Sequence, residues 1–146
     1  MGIAVLRGGE LRFWGVTGFR QRNLDDLLQA LERRLTRLIT IYRPAVLAVE
    51  NPTLKRLKSS PWLEAVMARI SVVAVGSGLR ISLCDPVGVR ERLCGSAQAT
   101  RREMAERIIR LYPHLARYHA CSSQWQEFYW MPMFAAVAVG LSCTHK

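Results

Sequence analysis

Residues 44–51 of this chain read PAVLAVEN, in which five consecutive apolar residues lead into a carboxylate and an amide. An apolar run of this length predicts a β-strand that is buried on both faces. Glu50 would then lie at the carboxyl end of a buried strand, where open α/β sheets place their binding and catalytic groups. The alternative is that Glu50 only faces solvent where the strand leaves the sheet.

A basic segment comes directly after this strand. Residues 52–60 carry Lys55, Arg56 and Lys58 just beyond Glu50. Cationic side chains at this edge of a sheet are well placed to hold a phosphate backbone. The alternative is an ordinary exposed loop, and the location favours the binding role.

The next elements complete a strand–helix–strand unit. Pro61 predicts the first turn of a helix that runs to residue 76, and because this helix carries few charges we expect it to be buried around much of its circumference. Residues 79–84 predict a second strand, which Asp85 closes. Such a connection is right-handed and its strands are parallel neighbours, so Glu50 and Asp85 would emerge at the same end of the sheet.

The chain before this unit predicts a hairpin and a long helix. Residues 2–7 and 11–17 are strand-like, and Gly8-Gly9 between them is a tight-turn signal. Asn23 is a good N-cap for a helix over residues 24–42, whose leucines recur at steps of three and four. The opposite side of this helix is expected to be solvated, and it carries Arg33, Arg34 and Arg37.

The chain after the unit is predicted to be helical. Residues 87–93 suit a short helix, and Thr100 with Glu103 forms a capping box that opens a helix ending near Tyr112. From about residue 128 the chain is apolar and rich in small residues, which suits a last helix packed closely against a sheet. The alternation of strands and helices predicts the α/β class.

Composition favours a nucleic-acid partner. The chain has 146 residues, half of them apolar, which suits one domain over residues 1–146. The net charge is +10, and 18 of the 21 basic residues are arginine, whose planar fork suits phosphate. The alternative is a basic protein from an arginine-rich proteome. No membrane-spanning run or signal peptide is expected, so we predict a cytoplasmic protein without a membrane partner.

The four cysteines show no CxxC spacing, and we do not expect them to form, with His114, His119 and His145, the closely spaced ligand pairs of a zinc site. Cys84 and Cys143 lie in apolar surroundings and are expected to be small core residues.

The order of elements and four local motifs resemble the RuvC branch of the RNase H-like nucleases, the Holliday-junction resolvase family. The resemblance covers nearly the whole chain, from Gly2 onward. The four motifs are Arg43-Pro44 before the strand ending in Glu50, Cys84–Arg90, Gly95-Ser96-Ala97 with Arg101, and Ala136–Gly140. The resemblance implies a three-layer RNase H-like α/β fold, with an N-terminal hairpin, a parallel βαβ unit and helices on both faces. It also implies that Glu50 is a catalytic, metal-binding residue and that Arg90 replaces a family lysine.

Two departures from the family pattern concern the metal ligands. Family members begin with a central strand that carries Asp-Pro-Gly, whereas Gly2–Val5 here matches the residues after that motif, so this first strand is expected to be missing. Without it, the hairpin either pairs directly with residues 45–50 or leaves a strand edge unpaired. In the last helix, Ala135 and Pro132 stand where the family has acidic residues.

Cleavage is therefore in doubt. Phosphodiester cleavage with two Mg²⁺ ions needs several converging carboxylates, and only Glu50, with Asp85 as a second candidate ligand, remains. We expect a RuvC-like homologue that binds branched or structured DNA through a degenerate site, possessing weak Mg²⁺ binding or none. The alternatives are an active Mg²⁺-dependent endonuclease with a diverged site, and a non-enzymatic interaction module or decayed remnant.

The predicted DNA contacts lie in three segments, and a homodimer would suit a two-fold junction. The predicted contact residues are Lys55, Arg56, Lys58, Arg90, Arg101 and Arg102.

Overall fold

A computed structural model of the chain describes residues 1–51, 61–119 and 124–144, with the side chains of residues 124–128 left undescribed. The described chain divides into two compact units, one formed by residues 1–17 and 84–146 and the other by residues 18–83. The assignment of residues 1–146 to a single domain stays a prediction. In chain order the elements are β1 (Gly2–Arg7), β2 (Glu10–Val16), α1 (Leu24–Tyr42), β3 (Val46–Glu50), α2 (Pro61–Gly76), β4 (Arg80–Cys84), α3 (Pro86–Cys94), α4 (Arg101–Leu111), a 3₁₀ turn (Pro113–Leu115), α5 (Ala116–His119) and α6 (Gln124–Thr144).

The predicted hairpin is confirmed. β1 and β2 pair in antiparallel orientation, from Gly2 opposite Val16 to Arg7 opposite Glu10. Gly8 and Gly9 have φ angles of 57° and 82°. Both are left-handed, as the tight turns that match the twist of a hairpin require, and glycine adopts this conformation without steric cost.

The long amphipathic helix is also confirmed. Asn23 caps α1, because its side-chain oxygen accepts a hydrogen bond from the backbone N–H of Asp26 at 2.8 Å. The helix ends at Arg43, which is left-handed with a φ of 46° immediately before Pro44. The buried stripe of α1 consists of Leu28, Leu31, Leu35 and Leu38.

The strands form two separate two-stranded sheets among the described residues, β1 with β2 and β3 with β4. The backbone N–H of Arg80 donates to the carbonyl of Ala45 at 3.1 Å, so β3 and β4 start level with each other and run in the same direction. This confirms the parallel βαβ unit. Direct pairing of the hairpin with β3, one of the two predicted outcomes, does not occur within the described strands.

The burial of β3 differs from the prediction. Every residue of β3 is half-buried, whereas the apolar run predicted a strand buried on both faces. Leu47 and Val49 pack against a core formed by α1 and α2. Because side chains alternate along a strand, Val46, Ala48 and Glu50 lie on the other face. The apolar run therefore predicted the strand correctly, but the prediction that both faces of the strand are buried was wrong.

The burial of α2 also differs from the prediction. Ile70, Val73 and Ala74 are buried, but Val72 and Val75 are 67% and 72% exposed. The helix packs mainly against α1, to which Arg69 is tied by an ion pair with Glu32 at 2.6 Å. The low number of charged residues therefore indicated an apolar helix correctly. The expectation that α2 is buried around much of its circumference was wrong.

The other unit is built around α6, which packs against β1, β2, α3 and α4. Close approach is possible because a glycine lies at each of two contacts: a Cβ atom on Gly2 would overlap the backbone of Pro132, and one on Gly140 would overlap the side chain of Leu6. Cys84 is buried and its sulfur lies 3.4 Å from that of half-buried Cys143. Large side chains that are fully buried in this unit include Ile108, Leu115, Met133, Phe134 and Val137.

The predicted capping box of α4 is confirmed. The Thr100 hydroxyl accepts from the backbone N–H of Glu103 at 3.1 Å, and the Glu103 carboxylate accepts from the backbone N–H of Thr100 at 2.7 Å. The last helix begins at Gln124, earlier than the apolar composition indicated, and continues through Pro132. Of the helices whose residues are described, none is both long and apolar enough to cross a lipid bilayer.

Candidate nucleic-acid interface

Glu50 is the last residue of β3, at the carboxyl end of a parallel strand, as the sequence predicted. Its side chain is half-buried and lies on the face of the strand opposite Leu47 and Val49, away from the packed core of α1 and α2. Asn51 follows the strand and is half-buried as well. The position is therefore that of a sheet-edge carboxylate, and its catalytic role stays a prediction.

Asp85 directly follows β4, also as predicted, but its carboxylate has a structural task. It caps α3 by accepting a hydrogen bond from the backbone N–H of Val87 at 3.1 Å, with Pro86 in the first turn. The negative charge is further stabilised by the positive end of the helix dipole. A metal ion bound by Asp85 would compete with the backbone N–H of Val87 for the same carboxylate.

The residues that the structure describes do not fit a centre for two Mg²⁺ ions. No group of three or more His, Cys, Asp or Glu side chains suited to a metal ion occurs in the described part of the chain. In α6, Ala135 and Pro132 offer no side-chain oxygen where the family resemblance implies acids. Since hard divalent ions require several oxygen ligands, Glu50 and a capping Asp85 are too few to hold a pair of them.

Lys55, Arg56 and Lys58, the predicted basic contacts beyond Glu50, lie outside the described residues. Their contact with phosphate stays a prediction. Arg90 lies in α3 and is half-buried, and its Nε atom is buried without a hydrogen-bond acceptor in the described structure. A buried donor without an acceptor destabilises the protein.

Arg101 and Arg102 are exposed in the first turn of α4. Positive charge is unfavourable at this end of a helix, so these arginines do not serve helix stability. Arg102 lies 3.7 Å from Glu106, and both side chains are largely exposed, so the pair contributes little. Both guanidinium groups are therefore accessible to a polyanion.

A basic cleft lies between α3 and α4 and was not predicted from the sequence. The cleft has a volume of about 790 Å³ and its walls carry Arg92, Arg107 and Arg110. Arg107 and Arg110 lie three residues apart and therefore share one face of α4. That spacing was readable in the sequence, but the approach of Arg92 from the preceding helix was not.

Cys94 also lines this cleft. Burial raises the pKa of its thiol, the nearby Glu103 carboxylate raises that pKa further, and the positive charge of Arg107 acts in the opposite direction. The thiol is thus predominantly protonated at neutral pH, and it lies close enough to Arg107 and Glu103 to report on the charge within the cleft.

No protein-family model matches the chain, and no curated protein matches its sequence. Solved structures do match. The structure of Thermus thermophilus RuvC aligns with a TM-score of 0.67 and 17% sequence identity, covering 98% of this chain and 89% of that one. T. thermophilus RuvC in complex with a Holliday junction substrate aligns with a TM-score of 0.65 and 15% identity, covering 98% of this chain and 88% of that one. The chain therefore has a RuvC-like, RNase H-like α/β fold.

Proposed function

We propose that the protein binds branched or otherwise structured DNA and that its cleavage centre is degenerate. The observation that carries the proposal is the combination of an RNase H-like fold, similar to RuvC over 98% of the chain, with a described structure that contains no group of three metal-binding side chains. The solved complex of T. thermophilus RuvC with a Holliday junction supports this class of DNA as the partner. Recombination or repair of DNA is the process in which such a protein would act.

The charge of the chain supports a polyanionic partner. A net charge of +10 on 146 residues, supplied mostly by arginine, favours electrostatic attraction and bidentate phosphate contacts. Arg90, Arg101 and Arg102 are the proposed contacts within the described structure, and the segment with Lys55, Arg56 and Lys58 is a further one. Such contacts position the protein on the backbone and do not read base sequence.

We further propose a homodimer in which α2 faces α2. Its exposed apolar side chains include Trp62, Val72 and Val75. The helix carries two charged residues, and one of them, Arg69, is paired with Glu32. Two copies of a strongly basic chain repel each other least where a surface is apolar and nearly uncharged. A two-fold dimer would also match the symmetry of a four-way junction.

Fluorescence anisotropy with a four-way junction, a duplex of the same length and a single strand would test DNA binding. We expect the junction to bind most tightly, with affinity that falls steeply as salt increases. Absence of binding to all three DNAs at low salt would refute the proposal and favour a non-enzymatic protein-interaction module.

A cleavage assay tests the second half of the proposal. We expect no Mg²⁺-dependent cutting of the junction. We also expect Glu50→Gln to change junction affinity by no more than about twofold, because the substitution removes a carboxylate that holds no metal and so removes no DNA contact. Robust cutting that Glu50→Gln abolishes would show an active endonuclease with a diverged site. Uptake of Mn²⁺ in isothermal titration calorimetry, lost in Glu50→Gln, would contradict the degenerate site independently.

A further inference from the structure

The cleft between α3 and α4 brings three exposed arginines together on the described surface. It measures about 790 Å³ and receives Arg92 from the last turn of α3 and Arg107 and Arg110 from α4. All three side chains are exposed.

The acids that share the cleft are already engaged elsewhere. The Glu103 carboxylate accepts from the backbone N–H of Thr100 and completes the capping box. Glu106 lies 3.7 Å from Arg102, one helical turn earlier, in a weak and exposed ion pair. Within the described structure, no carboxylate lies within ion-pair distance of Arg92, Arg107 or Arg110.

Polar groups between the two helices complement the arginines. Ser96 and Gln98 also line the cleft, in the short connection from α3 to α4. The Ser96 oxygen accepts from the backbone N–H of Gln98 at 3.2 Å, which leaves its hydroxyl hydrogen available as a donor. Guanidinium forks with a hydroxyl and an amide provide the donor set that phosphate oxygens accept from.

We propose that this cleft binds a backbone phosphate of DNA and continues the contact made by Arg101 and Arg102 at the start of α4. The inference rests on the proposed function and adds to it three contact residues, Arg92, Arg107 and Arg110. The ligand is a phosphodiester within a nucleic-acid strand and not a free phosphate. A strand can contact the cleft arginines and the neighbouring basic residues at the same time, and the affinity comes from the sum of these contacts.

A competing arrangement would leave Arg92 as the one unpaired charge among the cleft residues. Glu103 with Arg107 and Glu106 with Arg110 are spaced four residues apart, with the acid nearer the N-terminus, which is the orientation that favours helical ion pairs. If these pairs form in solution, the arginines serve α4 and contribute little to DNA binding. The experiment must therefore separate a lost phosphate contact from a lost net charge.

The test compares two triple variants that remove the same charge. Arg92→Gln/Arg107→Gln/Arg110→Gln alters the cleft, whereas Arg22→Gln/Arg33→Gln/Arg37→Gln alters exposed arginines of the other unit. Junction affinity is measured by anisotropy over a series of salt concentrations, after circular dichroism has shown that each variant is folded. We expect the cleft variant to lower the salt slope by about two to three units and the control to lower it by less than about one.

Alkylation of Cys94 provides a second measurement on the unaltered protein, so that the test survives if the cleft variant does not fold. Saturating junction DNA should slow modification of Cys94 by iodoacetamide severalfold, as followed by peptide mass spectrometry, because the phosphate covers the cleft that this thiol lines. Equal rates with and without bound DNA, or equal salt slopes for the two triple variants, would overturn the cleft assignment while leaving DNA binding intact. Failure of the unaltered protein to bind any DNA would overturn the proposed function itself.

Discussion

The helices α2 and α6 are both apolar, yet they are buried to very different extents. α6 packs against β1, β2, α3 and α4, and its residues Met133, Phe134 and Val137 are almost fully buried. α2 packs mainly against α1 and leaves Val72 and Val75 largely exposed. Both sequences predicted extensive burial, so apolar composition alone does not determine how many sides of a helix are covered.

Residue size accounts for part of the difference. The strand next to α6 approaches so closely that Gly2 has no room for a Cβ atom beside the backbone of Pro132. Small residues on both sides thus let several elements reach α6. The exposed side of α2 carries branched and aromatic residues, and it has a net charge close to zero on a strongly basic protein. A surface of this kind suits a protein partner better than solvent.

Phe134→Ala should have the largest effect, because it leaves a cavity in the core around α6. We expect a loss of about 3–5 kcal/mol in the free energy of unfolding, measured by urea denaturation followed by circular dichroism. Val72→Ala, an aliphatic truncation at an exposed site of α2, is the matched control and should change stability by less than about 0.5 kcal/mol. Equal losses from the two variants would show that α2 is as deeply buried as α6.

Gly2→Ala should come next. The added methyl group meets the backbone of Pro132 and not a flexible side chain, so β1 and α6 must move apart. Overpacking of this kind costs about 1–3 kcal/mol. Gly76→Ala, at the open end of α2 where nothing lies within contact distance, should instead raise the thermal midpoint, because alanine favours a helix over glycine by up to about 1 kcal/mol. Effects of the same sign at the two sites would contradict the difference in packing.

Thr100→Ala should have an intermediate effect through α4, which packs against α6. The substitution removes one hydrogen bond of the capping box and should lower the free energy of unfolding by about 1 kcal/mol. Thr36→Ala, at an exposed site inside α1, should be neutral or slightly stabilising by the same denaturation assay. If Thr100→Ala is equally neutral, the cap does not hold the first turn of α4.

Val72→Glu/Val75→Glu should have the smallest effect on folding and a clear effect on assembly. Because both sites are exposed, we expect the thermal midpoint to stay within about 2 °C of that of the unaltered chain when both are measured at concentrations too low for dimerisation. Sedimentation velocity should show loss of the dimer, since two charges per chain would enter the α2 face. Gln29→Glu/Thr36→Glu adds the same charge to the exposed side of α1 and should leave the dimer intact. A monomeric unaltered chain at all concentrations would refute the α2 interface.

The candidate site was only partly predictable from the sequence. The pattern of residues 44–51 correctly predicted a strand ending at Glu50, and the Asp85-Pro86 pair correctly predicted a break after β4. Neither pattern revealed that Asp85 is occupied as the cap of α3, nor that Arg92 faces Arg107 and Arg110 across a cleft. The arginines selected from the sequence stood beside recognisable motifs, whereas those of the cleft are distinguished only by their neighbours in space.

The sequence by itself determined the local features: the glycine turn of the hairpin, the caps at Asn23 and Thr100, and the start of α2 at Pro61. These depend on backbone conformations and hydrogen bonds that span only a few residues. Only the tertiary structure decided the half-burial of β3, the exposed side of α2 and the walls of the basic cleft. Each of these depends on which segment, distant in sequence, packs against a given face. The residues adjacent in the chain do not determine that long-range contact.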